Sequence, residues 1–361
     1  YSPYRPFTSI QESGLYIKEL ENSELTYEKK HELNIGADMG FLNNRINLAV
    51  DWYKRNNYDL IGIVNTQGAG GQILKYANIA SMKSHGIEFT LSTKNIKTKD
   101  FNWNTDFIFS NAKNEVTDLK QNANVMELIS GNGFAKQGYP VRGLFSIPFV
   151  GLDKDGIPVI INEKGEATST DINFQERQNT GFLKYEGPTD PTITGSLGNM
   201  FSYKGFRLNL FITYSFGNVI RLNPVFKAYY SDLTAMTREF KNRWTLPGDE
   251  AKTNVPAILS KRMYDSNEDL KYAYNAYNYS TERIAKGDFI RLKEISLAYD
   301  FPKAWINPLK LTDLSLKVQA TNLFLIYADD KLNGQDPEFF NAGGVASPVP
   351  RQFTITLRLG L

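Results

Sequence analysis

An apolar side chain alternates with a polar one again and again along these 361 residues, in runs of about ten. Period two marks a β-strand whose two faces meet different surroundings. Runs of roughly 9 to 11 residues are what a tilted strand needs to cross a bilayer. In the first run Leu33, Ile35, Ala37, Met39 and Phe41 share one face, and Glu32, Asn34, Gly36, Asp38 and Gly40 the other. A two-residue turn at Asn43 and Asn44 follows, since Asn tolerates the left-handed backbone of a tight hairpin. Ile46, Leu48, Val50 and Trp52 then oppose Asn47, Ala49, Asp51 and Tyr53.

The same pattern predicts strands near residues 29–42, 46–61, 83–94, 101–117, 193–204, 206–217, 287–301, 312–326 and 350–361. Ile290 and Leu292 fall out of phase with Ile295 and Leu297, which predicts a bulge near Lys293 and Glu294. The links alternate between short ones (Asn43, 96–100, Lys204, 302–310) and long loops at 62–80, 118–191, 218–286 and 328–349. That asymmetry belongs to an antiparallel transmembrane β-barrel with tight periplasmic turns and long outer loops, and it places the C-terminus in the periplasm. Nine strands are an odd number, whereas single-chain bacterial barrels close with an even one. Further strands are therefore expected before Tyr1, where no signal peptide is visible.

Composition narrows the alternatives. No stretch reaches the roughly 18 apolar residues of a membrane helix, and a mean hydropathy of −0.39 suits either a soluble protein or a barrel with a polar lumen. The 41 basic and 39 acidic residues leave a charge of +2, so no polybasic surface for nucleic acid is present. Without cysteine there is no thiol catalysis, Cys-based zinc site or disulfide.

The alternation assigns Leu314, Leu316, Val318, Phe353, Ile355, Leu357 and Leu359 to the lipid, and the charges Glu88, Asp106, Lys317 and Arg358 to the lumen. Lumenal charges could orient a polar cargo or simply be solvated. Trp52, Trp103, Tyr214 and Tyr299 fit an interfacial aromatic girdle. In the long loops Trp244, Tyr272, Tyr274, Tyr277 and Tyr279 are candidate contacts for cargo or a protein partner, tyrosine rings being able to stack on sugars. The alternative is a loop that packs its tyrosines on itself. Asp153, Lys154, Asp155 and Gly156 read as a hairpin turn, because a calcium loop needs ligands continuing to a distant Glu. Asp329, Asp330, Asp336 and Glu338 could in principle supply paired carboxylates. Clustered acids in a loop are usually solvated, and His31 and His85, the only histidines, sit on or beside strands. No enzyme, metal or cofactor is expected.

Several blocks stand in order along the chain: Leu25-Thr26-Tyr27-Glu28, Phe41 to Arg45, Asn78-Ile79-Ala80 with Gly86-Ile87-Glu88, Gly138 to Val141 with Gly151 to Asn162, Arg243 to Asp249, Gly287 to Lys293 with Ile295-Ser296-Leu297 and Phe301-Pro302, and Thr321 to Phe324 with Gln335 to Glu338. Together they resemble the SusC-like (SusC/RagA) TonB-dependent outer-membrane transporters. The resemblance implies the later part of a barrel of roughly 22 strands, without its plug. It also implies TonB-driven import of an oligosaccharide or peptide delivered by a SusD-like surface lipoprotein. The chain ends in Leu361, where many such barrels end in Phe. A passive binding or structural barrel, or a soluble all-β glycan-binding protein with its apolar faces packed in a sandwich, would read similarly in alternation alone.

Overall fold

A computed structural model describes residues 2–4, 14–16, 21–66, 74–130, 135–225, 236–267, 269–340 and 348–361. Its centre is one nine-stranded antiparallel sheet. The strands are β1 (Lys29–Phe41), β2 (Ile46–Asn65), β3 (Leu74–Lys97), β4 (Phe101–Leu119), β5 (Ile193–Tyr203), β6 (Phe206–Phe216), β7 (Phe289–Asp300), β8 (Asp313–Ala328) and β9 (Gln352–Gly360). Each pairs with its neighbours in sequence, so the sheet is an up-and-down meander. Among the described residues the outer edges of β1 and β9 have no strand partner.

The register carries the alternation across the whole sheet. Ala37, Val50, Phe89, Phe109, Gly195, Tyr214, Ile290 and Tyr327 form one cross-strand row. Gly40, Asn47, Ser92, Asp106, Gly198, Phe211, Glu294, Thr321 and Gln352 form a row on the opposite face, polar or glycine except at Phe211. The register of β7 shifts at Lys293, which falls between the partners Leu292 and Glu294 on both β6 and β8. A single extra residue there restores the apolar phase from Ile295 onward.

Three details differ from the sequence expectation. The first turn is wider than two residues: Leu42, Asn43 and Asn44 all have positive φ, and the Arg45 N–H donates to Phe41 O at 3.1 Å. Strands β2, β3 and β4 run to 20, 24 and 19 residues, so the expected loop 62–80 is mostly strand.

Third, the long segments after β4 and β6 are not bare loops. They form a cap containing the helices α1 (Val125–Ser130), α2 (Lys261–Ser266) and α3 (Leu270–Asn278). They also contain the short paired strands Gly143–Ser146 with Lys184–Pro188, Phe149–Leu152 with Pro158–Ile161, and Val219–Arg221 with Ile284–Lys286. Val125, Ile129, Phe145, Ile147, Ile160 and Ala276 share one apolar cluster, so both insertions contribute to a single core. Among the described residues, none of the largest fully buried side chains lies in the nine strands. The cap attaches on the polar face: the Asn114 side-chain oxygen on β4 accepts the Val141 N–H at 2.9 Å.

Glycines on the sheet make room for rings. Gly86 lies under Tyr53, where an added Cβ would come within 2.5 Å of the phenol oxygen, and the Arg55 guanidinium covers the same ring at 4.2 Å. Gly86→Ala should therefore cost about 1 to 3 kcal/mol by overpacking. A double-mutant cycle with Tyr53→Ala in urea titrations checks it, and additive effects would count against the contact.

Candidate functional site

Three buried or half-buried arginines organise the space between cap and sheet. Arg221 ends a short cap strand, and its guanidinium donates to Phe145 O at 2.5 Å, Ser146 Oγ at 3.2 Å and Ser280 O at 3.3 Å. The Tyr279 ring lies 5.5 Å away. Burial pulls the Arg221 pKa down to about 10, which leaves it a cation at neutral pH. Arg283 donates to Glu239 at 2.5 Å and to Asn223 O at 2.7 Å. Burial works against its charge, but Glu239 and Tyr277 outweigh that and the pKa is raised. Arg291, on the polar face of β7, reaches both Asp336 carboxylate oxygens, at 2.5 and 2.6 Å, with Glu338 at 3.3 Å.

Around this frame lie three adjoining cavities of about 520, 480 and 160 Å³, and Asn223 lines all of them. The largest is walled by Arg142, Asp190, Arg221, Asn275, Asn278 and Tyr279, among others. The second is walled by Arg291, Asn322, Gln335, Asp336, Phe339 and Arg351, among others. Volumes of this order suit a ligand of a few sugar or amino-acid units. The walls offer amide, guanidinium and phenol groups that hydrogen-bond neutral polar matter. Their carboxylates are engaged: Asp190 with Arg142 through Nε at 2.8 Å, and Asp336 with Arg291.

The predicted site residues divide sharply. Tyr274 and Tyr277 are 1% and 0% exposed inside the cap, so neither reaches a ligand and the self-packed alternative describes them. They lie on α3, where Leu270, Ala273, Tyr274 and Tyr277 repeat at helical spacing and turn one face into the core. Tyr279 is half-buried and lines the largest cavity. Tyr272 is exposed, beside Phe174 at 6.3 Å. Glu88, Asp106, Lys317 and Arg358 all stand on the polar face, with Asp106 accepting from Ser92 Oγ at 2.6 Å. Leu314, Leu316, Val318, Phe353, Ile355, Leu357 and Leu359 share the opposite face. Asp329 accepts from the Lys286 and Lys331 N–H groups at 2.7 and 2.9 Å. The loop carboxylates at 329 and 336 are thus structural. Arg221, Asn223, Asn275 and Arg283 escaped the sequence reading, because only contacts across distant segments single them out.

Trp244 is a structural anchor as well. Its ring covers Gly156, whose φ of 74° and missing Cβ allow the contact, in the turn opened by Asp153. The segment after it is clasped by two acids. Asp249 accepts the Thr245 and Leu246 N–H groups at 3.2 and 3.0 Å, while Glu250 accepts Trp244 Nε1–H at 2.9 Å and the Gly248 N–H at 2.8 Å. Leu246 N–H donation lowers the Asp249 pKa, and the Trp244 bond lowers that of Glu250. A lowered folded pKa adds stability above the ordinary carboxylate value and loses it as pH falls through the folded one. Amide protection at Thr245, Leu246 and Gly248 should therefore persist as pH falls through the ordinary carboxylate value of about 4 and vanish only at lower pH, through the lowered folded values. Hydrogen exchange across pH, corrected for intrinsic rates, tests this; loss at or above the ordinary value would refute it.

No family model matches the chain. It is similar to TonB-dependent receptor P3 of Formosa agariphila, 26% identical over 357 residues, covering 93% of this chain and 33% of that protein. It is also similar to TonB-dependent receptor SusC of Bacteroides thetaiotaomicron, 26% identical over 364 residues, covering 94% of this chain and 32% of that one. The chain thus spans about a third of the length of these curated relatives. Its fold matches the RagAB peptide importer in the open-open state with a TM-score of 0.74 at 24% identity, over all of this chain and 37% of that one.

Proposed function

The chain is SusC-like over nearly its whole length, and on that premise we propose that it forms wall and outer loops of a TonB-dependent importer in a Gram-negative outer membrane. Its nine strands are part of a closed barrel of roughly 22, with the apolar face in lipid and the polar face lining the lumen. The short links and the C-terminus are periplasmic, and the cap is extracellular. Energy delivered by the TonB complex to a plug moves a polar oligosaccharide or peptide, handed over by a SusD-like lipoprotein, from the cap cavities into the lumen. Residues of this chain bind and orient the cargo, and none acts on it chemically.

The observation that carries this reading is the sheet itself. One face is largely apolar and, among the described residues, has no packing partner: Ile35, Leu297, Val318, Phe353, Ile355 and Leu359 are all exposed. A monomeric soluble protein rarely leaves so large an apolar area in water, which argues against the sandwich alternative. The opposite face is polar and carries the cavity-bearing cap. Removing a cavity hydrogen bond tests the import role. In the full-length protein with its partner, Asn275→Ala with Arg142→Ala should lower cargo affinity about tenfold, read as uptake at limiting cargo with unchanged surface level. Uptake equal to the parent at every concentration would sink the cavity assignment.

A further inference from the structure

The apolar face turns cationic along one row of β2, β3 and β4. Its last apolar row there is Ile35, Trp52 and Ile87, continued by Asn111. Two residues further along each strand, on the same face, the next row reads Leu33, Lys54, His85 and Lys113. Beyond it come His31, Asn56, Lys83 and Glu115, with Lys83 held by Glu115 at 3.0 Å. Lys54, His85 and Lys113 are exposed, and among the described residues they have no ion-pair partner. The carboxylates at this height, Asp51 and Glu88, stand on the opposite face, and Glu115, one row further along this face, is held by Lys83.

The height of the row is fixed by the strands. Apolar residues of this face run from Ile96 to Ile87 on β3 and from Phe101 to Phe109 on β4, about ten residues each, the length that crosses the hydrocarbon. Lys54, His85 and Lys113 therefore stand where hydrocarbon gives way to headgroups, at the end of the sheet away from the β1–β2 and β3–β4 turns. Neighbouring strands are about 4.8 Å apart, so the three side chains fall within reach of one phosphate group. Trp52 and Ile87, each more than a third exposed, form an apolar wall directly beneath.

We propose that this row holds the phosphate-bearing headgroup of an outer-leaflet lipid, whose acyl chains lie along Trp52, Ile87 and Phe89. The occupant is a lipid and not free phosphate because the cations are continuous with a surface that only acyl chains would cover. The inference rests on the barrel reading and its orientation.

The test uses full-length protein in bilayer nanodiscs, with a monophosphorylated lipid A and its dephosphorylated counterpart as probes, read by retained lipid in native mass spectrometry. The parent should prefer the phosphorylated probe at least about tenfold. The triple variant Lys54→Gln, His85→Gln, Lys113→Gln should lose that preference, while Lys317→Gln on the polar face keeps it. Inorganic phosphate at millimolar concentration should not displace the lipid. Equal retention by the triple variant, or displacement by phosphate alone, overturns the proposal. Protein that enters the bilayer but shows no preference refutes only this inference; protein that fails to enter it refutes the barrel reading and this inference together.

Discussion

Lysine at position 355 is expected to destabilise the folded protein by about 2 to 4 kcal/mol, the cost of a cation at the lipid face near mid-bilayer. Ile355 sits mid-way along β9, opposite Val318 on β8, and is 74% exposed. Such exposure would make the substitution nearly free if the face met water. Thr354→Lys, one residue away on the polar face, is the control and should change stability little. Urea titration of the full-length protein refolded into vesicles gives both numbers. Equal costs at 354 and 355 would place both faces in the same solvent and end the barrel reading.

Arg291→Ala should be of similar or greater severity, about 3 to 5 kcal/mol. The guanidinium and the Asp336 carboxylate are each less than a tenth exposed, so removing one leaves the other buried and unpaired. Asp336 also accepts the Glu338 N–H at 3.1 Å and thereby starts the helical turn Pro337–Phe339. Losing Arg291 should consequently loosen the segment after β8, seen as faster proteolysis between Asp329 and Phe340. Replacing both partners, Arg291→Met with Asp336→Leu, should recover much of the loss. A double variant as unstable as the single one would show that the ion pair is not the cause.

Most of the sheet could be read from sequence because each strand carries one apolar and one polar face, and alternation records that directly. Even the β7 bulge was legible, since one extra residue at Lys293 flips the phase of everything before it. The cap was not. Its strands of two to five residues are too short to show a period, and α3 hid behind its tyrosines although Leu270, Ala273, Tyr274 and Tyr277 already carry helical spacing. The candidate site was least legible. Arg221 reaches Phe145 in the other insertion, and Arg283 reaches Glu239 44 residues away within its own, pairings that loop residues acquire only once the cap has folded.

That shared core bears on how the sheet is assembled. Most of its strands follow each other through short turns, so hairpins can form quickly and locally, but β5 must find β4 across residues 120–192 and β7 must find β6 across 217–288. Closing a flexible loop costs entropy that grows with the logarithm of its length. A cap that collapses early shortens both tethers at once, because Phe145 from one insertion and Ala276 from the other lie in the same cluster. The two slowest pairings then become one kinetic event, and damage to the cap interior should appear first as delayed sheet formation.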